Sequence, residues 1–250
     1  MPSEDASLAR TDLTGRTFQT THWSVVLRVS DGRSPDAAQA LEELCRTYWY
    51  PLYAFVRRRG CIHEEAQDLT QAFFAKLLEK NQISLADPER GRFRTFLLRS
   101  LENFLRTEHR DATAQKRGGG REVVSWDADL AAERYSSERA DDASPTAVYE
   151  RQWVAVLLES VLGALRQEFS QSGKAELFDQ LEPHLWGDDS STPYPRIAEA
   201  LDITAVSVRV TVHRLRQRFH DLLRAQIANT VENVNDVEDE LRYLRRLWAS

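Results

Sequence analysis

The sequence predicts an all-α protein of two helical domains joined by an acidic flexible linker. Three observations carry that expectation. Leu, Ala, Arg and Glu dominate the 250 residues, and only ten Gly and eight Pro interrupt them, a composition that favours helix. Apolar residues recur at helical spacing in one block after another, with no convincing strand between them. Charge is segregated along the chain, whose formal total is −6. Residues 86–121 hold nine Lys/Arg and five Asp/Glu, residues 209–224 hold five Arg against Asp221 alone, and residues 122–150 between them hold eight acids and two Arg. Two basic blocks flanking an acidic stretch suit a polyanionic partner that the total charge would argue against.

Residues 1–20 are polar and aperiodic, which predicts a tail. The first domain is expected over 21–118. "TTHWSVVLRV" opens it with threonines suited to a cap and with Trp23, Val26 and Leu27 on one face. Ala37, Leu41, Leu44, Tyr48, Leu52, Phe55 and Val56 then form a long stripe ending at Arg59-Gly60, and Pro51 within it predicts a kink or a division into two helices. "HEEAQDLTQAFFAKLLEKN" turns Ala66, Leu69, Phe73 and Leu77 inward, which leaves Phe74 off the stripe and exposed. Pro88 and Gly91 break the chain before "FRTFLLRSLENFLRTEHRDATAQKR", whose Phe93 and Phe96 fall on the inward side.

"RGGG" and the acidic, Ser-containing stretch after it predict the linker, 119–147. A second domain is expected over 148–228. It begins with Trp153, Val156, Leu157, Leu162, Leu165 and Phe169 on one helix, stopped by "SQSG", and continues with a short helix near Ala175–Leu181 and the loop "WGDDSSTPYP". The extension 229–250 carries a helix at 236–248, with Val237, Leu241, Leu244 and Trp248 at helical spacing. Its acids come first and its arginines last, an order suited to the helix dipole. So short a helix needs a partner surface. The second domain is the expected dock, and a position that limits access to other partners is the alternative.

"RIAEALDITAVSVRVTVHRLRQRF", 196–219, reads as a helix-turn-helix. Ile197, Ala198, Leu201, Ile203, Val208, Val212, Leu215 and Phe219 are the inward set. Asp202 takes the turn position, which calls for a left-handed backbone that aspartate tolerates. Ser207, Arg209, Val210, His213, Arg214 and Gln217 remain outside, a face suited to base edges in a major groove. Arg216 and Arg218 lie nearer the flank, where phosphates run. The alternative reading of this stretch is a three-helix packing unit with a basic solvated face.

The two blocks in this order resemble an extracytoplasmic-function (ECF) sigma factor of bacterial RNA polymerase. "EEAQDLTQAFFAKLL" and "FRTFLLRSLENFLRTEHR", the latter through Phe93, Phe96, Leu97, Arg99 and Asn103, are similar to the helices of sigma region 2. "IAEALDITAVSVRVTVHRLRQRF" is similar to the helix-turn-helix of region 4. The resemblance spans roughly 21–228. It implies promoter-directed transcription initiation with core RNA polymerase and promoter DNA as partners, and an anti-sigma or other regulatory protein as a further one. By the same resemblance, Asp68, Leu69, Gln71 and Phe74 dock on polymerase. Residues 82–96 hold a flipped base of the melted downstream element, and Arg106, His109 and Arg110 lie near that DNA. Ser207, Arg209, Val210, His213 and Arg214 read the upstream element. The chain departs from the family in the long "SQSGKAELFDQLEPHLWGDDSSTPYP", in Thr107 and Glu108 where Asp-His is common, and in the added 229–250.

Chemistry supports a DNA role independently, because holding single strands takes aromatic and cationic groups side by side. "RGRFRTF" supplies Arg90, Arg92 and Arg94 around Phe93 and Phe96, and with both rings inward the arginines are the stronger candidates. An enzyme is a rival class, since His63, Glu64, Glu65 and Asp68 cluster in "CIHEEAQD". Carboxylates on a helix are more often a solvated face, and no phosphate loop, nucleophile elbow or zinc spacing accompanies them. No cofactor and no metal are expected. A helix-turn-helix regulator acting without polymerase is the second rival. "MPSEDASLAR" lacks the apolar core of a signal peptide, "WVAVLLESVLGAL" is too short to span a bilayer, and Cys45 and Cys61 suit a reducing compartment. A cytoplasmic location is therefore expected, with no membrane insertion.

Overall fold

Thr47 to Val56 are buried on every side of their helix, and this resolves the question posed by Pro51. Instead of dividing, α1 runs unbroken over Ala37–Arg58 with Pro51 inside it. A proline within a helix costs about 3 kcal/mol, and the burial of Tyr48, Leu52, Tyr53, Phe55 and Val56 around it outweighs that cost. The helix stops where expected, at Gly60, whose φ is 97° and whose N–H closes onto the Arg57 carbonyl at 3.0 Å. The computed structural model describes residues 26, 37–79, 82–87, 91–114, 134–135, 143–187, 193–228, 230 and 236–249. The tail 1–20, Trp23, Leu27, Arg90 and most of 119–147 lie outside the described residues, as do the side chains of Ala37, Leu41 and Trp248.

Helix α2 (His63–Glu79) buries Ala66, Thr70, Phe73, Phe74 and Leu77. A 3-10 turn, Gln82–Leu85, inserts Ile83 beneath it. Helix α3 (Phe93–Ala114) buries Phe93, Leu97, Leu98, Leu101 and Phe104. These side chains and those of α1 build a first apolar cluster, which also includes Val26.

Helix α4 (Pro145–Gln171) is capped by Ser144, which accepts from the Ala147 N–H at 3.2 Å, and has proline in its first turn. It ends as expected at "SQSG", with Gly173 at φ 68°. Tyr149, Trp153, Val154 and Leu157 of α4 join the first cluster, against α1, while Leu165 joins a second one. The stretch expected to open a separate domain near 148 is therefore one helix shared by both clusters. Part of the expected linker is also packed: Arg134 lies over the Tyr50 ring at 4.3 Å and pairs with Glu159 at 3.0 Å.

The second cluster is closed by α5 (Ala175–Leu181) with the 3-10 turn Glu182–Leu185, by α6 (Tyr194–Ala200) and by α7 (Ala205–Ala228). It gathers Leu165, Phe178, Leu181, Ile197, Ala198, Val208, Val212 and Leu215. The last helix, α8 (Asp236–Ala249), was expected to dock on the second domain, and it packs on α4 and α7, which fall almost wholly within 148–228. Its Val237, Leu241 and Leu244 do so in the first cluster rather than the second, beside Trp153 of α4 and Ile227 of α7. Among the described residues there is no strand.

Candidate nucleic-acid interface

The turn between α6 and α7 is built from local hydrogen bonds. Asp202 adopts φ 51°, and among the described residues no other non-glycine residue has a positive φ. The Ile203 N–H reaches back to the Ala198 carbonyl at 3.0 Å and the Asp202 N–H to Glu199 at 3.4 Å. This pair of bonds around a left-handed residue ends α6 in a Schellman motif. Thr204 then caps α7, accepting from the Ser207 N–H at 3.1 Å, and its hydroxyl shares a 2.8 Å hydrogen bond with that of Ser207. These local bonds fix the joint between the two helices that cover the second cluster.

Val208, Val212 and Leu215 face the core of that cluster, with Leu201 and Phe219 half-buried at its edge. Ile203 was expected inside, but it is exposed: the Schellman turn carries it past the end of α6 and away from the cluster. Ser207, Arg209, Val210, His213, Arg214 and Gln217 are all exposed on α7. Val206, 67% exposed, shares this face and was missed by the sequence reading. Its position one turn before Val210 and Arg209 was the available signal. The face therefore mixes cations, hydroxyl and amide groups with two small apolar side chains, the set that major-groove edges require.

Arg216 and Arg218 are differently placed from their expected phosphate role. The Arg216 guanidinium donates two hydrogen bonds, at 2.9 and 2.7 Å, to the His184 carbonyl. It ties α7 to the preceding 3-10 turn. Arg218 grips Glu168 of α4 with both arms, at 2.9 and 2.5 Å. That hydrogen-bonded carboxylate holds the guanidinium in its charged form and raises its pKa. Both side chains brace the fold, because α7 crosses α4 and the 3-10 turn along the flank that bears them.

The other basic block lies on α3. Arg99, Asn103, Arg106 and Arg110 recur at intervals of four, three and four residues and are exposed, with His109 exposed beside them. Arg99 belongs to this face, although its spacing to Arg106 had not been used to select it. At the start of α3 the picture changes. Arg94 is only 3% exposed and Glu240 of α8 is fully buried. The Glu240 carboxylate pairs with Arg94 on one oxygen and with Arg92 at 2.5 Å on the other. Arg94 also lies over the Trp153 ring at 4.3 Å and the Tyr243 ring at 5.7 Å. Its backbone carbonyl accepts from the Tyr149 hydroxyl at 2.9 Å. Arg92 and Arg94 were expected to face DNA, and they face α8. Phe93 is buried against Tyr48 at 5.6 Å and stacks with the half-buried Phe96 at 5.8 Å, on the inward side as the spacing predicts.

On α2, Glu64, Glu65, Asp68, Ala72, Ala75 and Glu79 form the exposed face, with Leu69 and Gln71 half-buried on its margins. Phe74 was expected outside and is 6% exposed, packed on Phe73 at 5.7 Å. Helix α2 buries two adjacent columns because it meets α3 as well as α1, Phe73 touching Phe104 at 5.8 Å. His63, part of the acidic cluster that suggested an enzyme, hydrogen-bonds through Nδ1 to the Tyr53 hydroxyl at 2.8 Å. Burial pushes the Cys45 thiol up to about 12, so it is not a thiolate nucleophile at neutral pH.

A family model for sigma-70 region 2 matches residues 44–115. The matched residues comprise most of α1, all of α2 and α3, and the 3-10 turn between them. The match implies a sigma factor role in transcription initiation, with core RNA polymerase and promoter DNA as partners. It covers under a third of the chain and leaves α4 to α8 unassigned. No curated protein and no solved structure matches the chain. No helix among the described residues is long and apolar enough to cross a membrane.

Proposed function

We propose that this chain is a sigma factor of the ECF type, in which α6 and α7 act as the region 4-like reader of an upstream promoter element. The observation that carries the reading is the occurrence, in one chain, of a region 2 segment and a separate helix pair with an exposed basic face. In this reading Arg209, Arg214 and His213 contact base edges, with Ser207, and Val206 and Val210 meet thymine methyl groups. Arg106, His109 and Arg110, joined by Arg99, follow the downstream DNA on the opposite side of region 2 from its buried rings. Arg90 precedes them in the same basic block. The acidic face of α2, with Asp68, Leu69 and Gln71, docks on polymerase, and Phe74 supports that helix from within.

The test is transcription by purified core RNA polymerase on a library of promoter fragments, with and without this protein. Start sites that appear only with the protein, and that vanish when Arg209 and Arg214 are both replaced by Ala, are the expected result. A protein that binds DNA tightly as a dimer and adds no start sites is a helix-turn-helix regulator instead.

A further inference from the structure

A carboxylate paired with one nitrogen of each of two arginines stands where a phosphate would. Glu240 occupies that place between Arg92 and Arg94, and it arrives on a helix with three more acids, Asp236, Glu238 and Asp239, in its first turn. We propose that α8 is an autoinhibitory clasp, closed over a single-stranded DNA site formed by Arg92, Arg94 and Trp153. The inference rests on the sigma reading proposed above and extends it to the start of α3, which the sequence led us to expect near melted DNA.

Three features of α8 fit a clasp. Its hold is divided among three elements: Glu240 on α3, the apolar residues Val237, Leu241 and Leu244 in the first cluster beside α4, and Glu238 paired with Arg224 of α7. Such a helix restrains region 2 and the reading helix together. Its length of 14 residues is marginal for a helix without a partner, so an undocked α8 melts and does not compete for the site again as a formed surface. Its central contact is a buried ion pair, a device whose desolvation cost offsets most of its attraction. A DNA phosphate offers the same charge to the same two guanidinium groups and replaces this ion pair, so the cost of opening is set by the apolar contacts of Val237, Leu241 and Leu244.

The surface beneath α8 has the composition expected of a single-strand site. Withdrawing α8 takes Glu240 and Tyr243 from the Arg94 guanidinium and leaves it lying on the Trp153 ring, with Arg92 beside it. Paired cations, one of them backed by an aromatic ring, hold a strand by charge, and a base stacks on the guanidinium plane rather than on the ring, without base preference.

The experiment uses the full chain and a short single-stranded oligonucleotide of mixed sequence. Binding is followed by fluorescence anisotropy, and the amides of 236–249 by hydrogen exchange. Coupling between clasp and strand is reciprocal. Saturating oligonucleotide should therefore speed exchange across 236–249 by about tenfold, as expected for a coupling of typical size. Unchanged protection there with the strand bound overturns the clasp. Glu240→Gln and Leu244→Asp, which unseat α8 by different means, should each tighten oligonucleotide binding by about tenfold. Adding Arg92→Gln to either should cancel the gain. A gain that survives Arg92→Gln, or a folded Glu240→Gln or Leu244→Asp chain with no gain, also overturns it. Because these readouts need no polymerase, strand-driven release of α8 in a chain that starts no transcripts keeps the clasp and removes the sigma reading. Promoter-specific transcription with α8 still protected does the reverse.

Discussion

Arg214 and Arg216 stand two positions apart on α7, and their surroundings assign them different work. Arg214 is exposed on the reading face, whereas Arg216 spends two donors on the His184 carbonyl. Replacing Arg214 or Arg209 by Ala should cost about 1–3 kcal/mol of upstream-DNA binding and relax preference at one base position, with the melting temperature kept. Arg216→Ala should instead lower unfolding free energy by about 2 kcal/mol, the scale of hydrogen bonds from a charged donor. Urea titrations and selection of binding sites from a random pool measure the two effects. Equal loss of affinity on all sequences with Arg209→Ala and Arg214→Ala would show phosphate contact, not reading.

Glu150 yields a pH dependence. Burial raises its pKa above the ordinary 4.5, and Glu240 adds to the rise while Arg94 and Arg92 oppose it. The folded chain thus favours the protonated acid more than the unfolded chain does. That stability is fully present below the unfolded pKa and is lost as pH rises through the higher folded pKa. Glu150→Gln should raise the melting temperature at neutral pH and bring no gain at pH values well below 4.5. A gain of equal size at both ends would assign the effect to packing. The outward face of α7 was legible by subtraction once its apolar spacing was read. The fate of Arg94 and Arg218 was not, since their partners lie far along the chain, Glu168 being 50 positions from Arg218.

At the scale of elements, the turn between α6 and α7 was legible because all its determinants lie within a few residues. A left-handed aspartate and the apolar spacing from Val208 through Val212 and Leu215 to Phe219 are local facts. Asp202→Val should cost about 1–2 kcal/mol, because a bulky L-residue meets the following carbonyl at positive φ. Asp202→Gly removes that contact and should leave the urea midpoint no lower than before. Equal losses from both substitutions would mean that the carboxylate matters more than the backbone. The division at Pro51 and the exposure of Phe74 were misjudged for one shared reason. Each depends on how many neighbours surround its helix: α1 is enclosed along 47–56, and α2 is covered on two sides. Periodicity in a single helix shows the direction of its core but not how far burial spreads around it.

At the scale of the whole molecule, the all-helical class was legible from composition and spacing, and the helix positions of 175–181 and 236–249 followed. The allocation of helices to cores was not. An apolar stripe continues through α4 without a mark where it passes from the first cluster to the second, and the acidic stretch before it looked like a divider. The shared helix has a practical consequence for dissecting the protein. A fragment begun at Pro145 to isolate the reading half would bring Tyr149, Trp153, Val154 and Leu157 into water without the α1 surface that covers them. A fragment ended at Ala143 would strip the same cover from α1. Neither cut yields a clean module, and chimaeras that exchange promoter readers between such proteins need their junction within α4, at Ser160 to Ala164, where the two cores meet. Gly163 lies there with open space about its missing side chain, so the splice site itself has room for residues brought in from elsewhere.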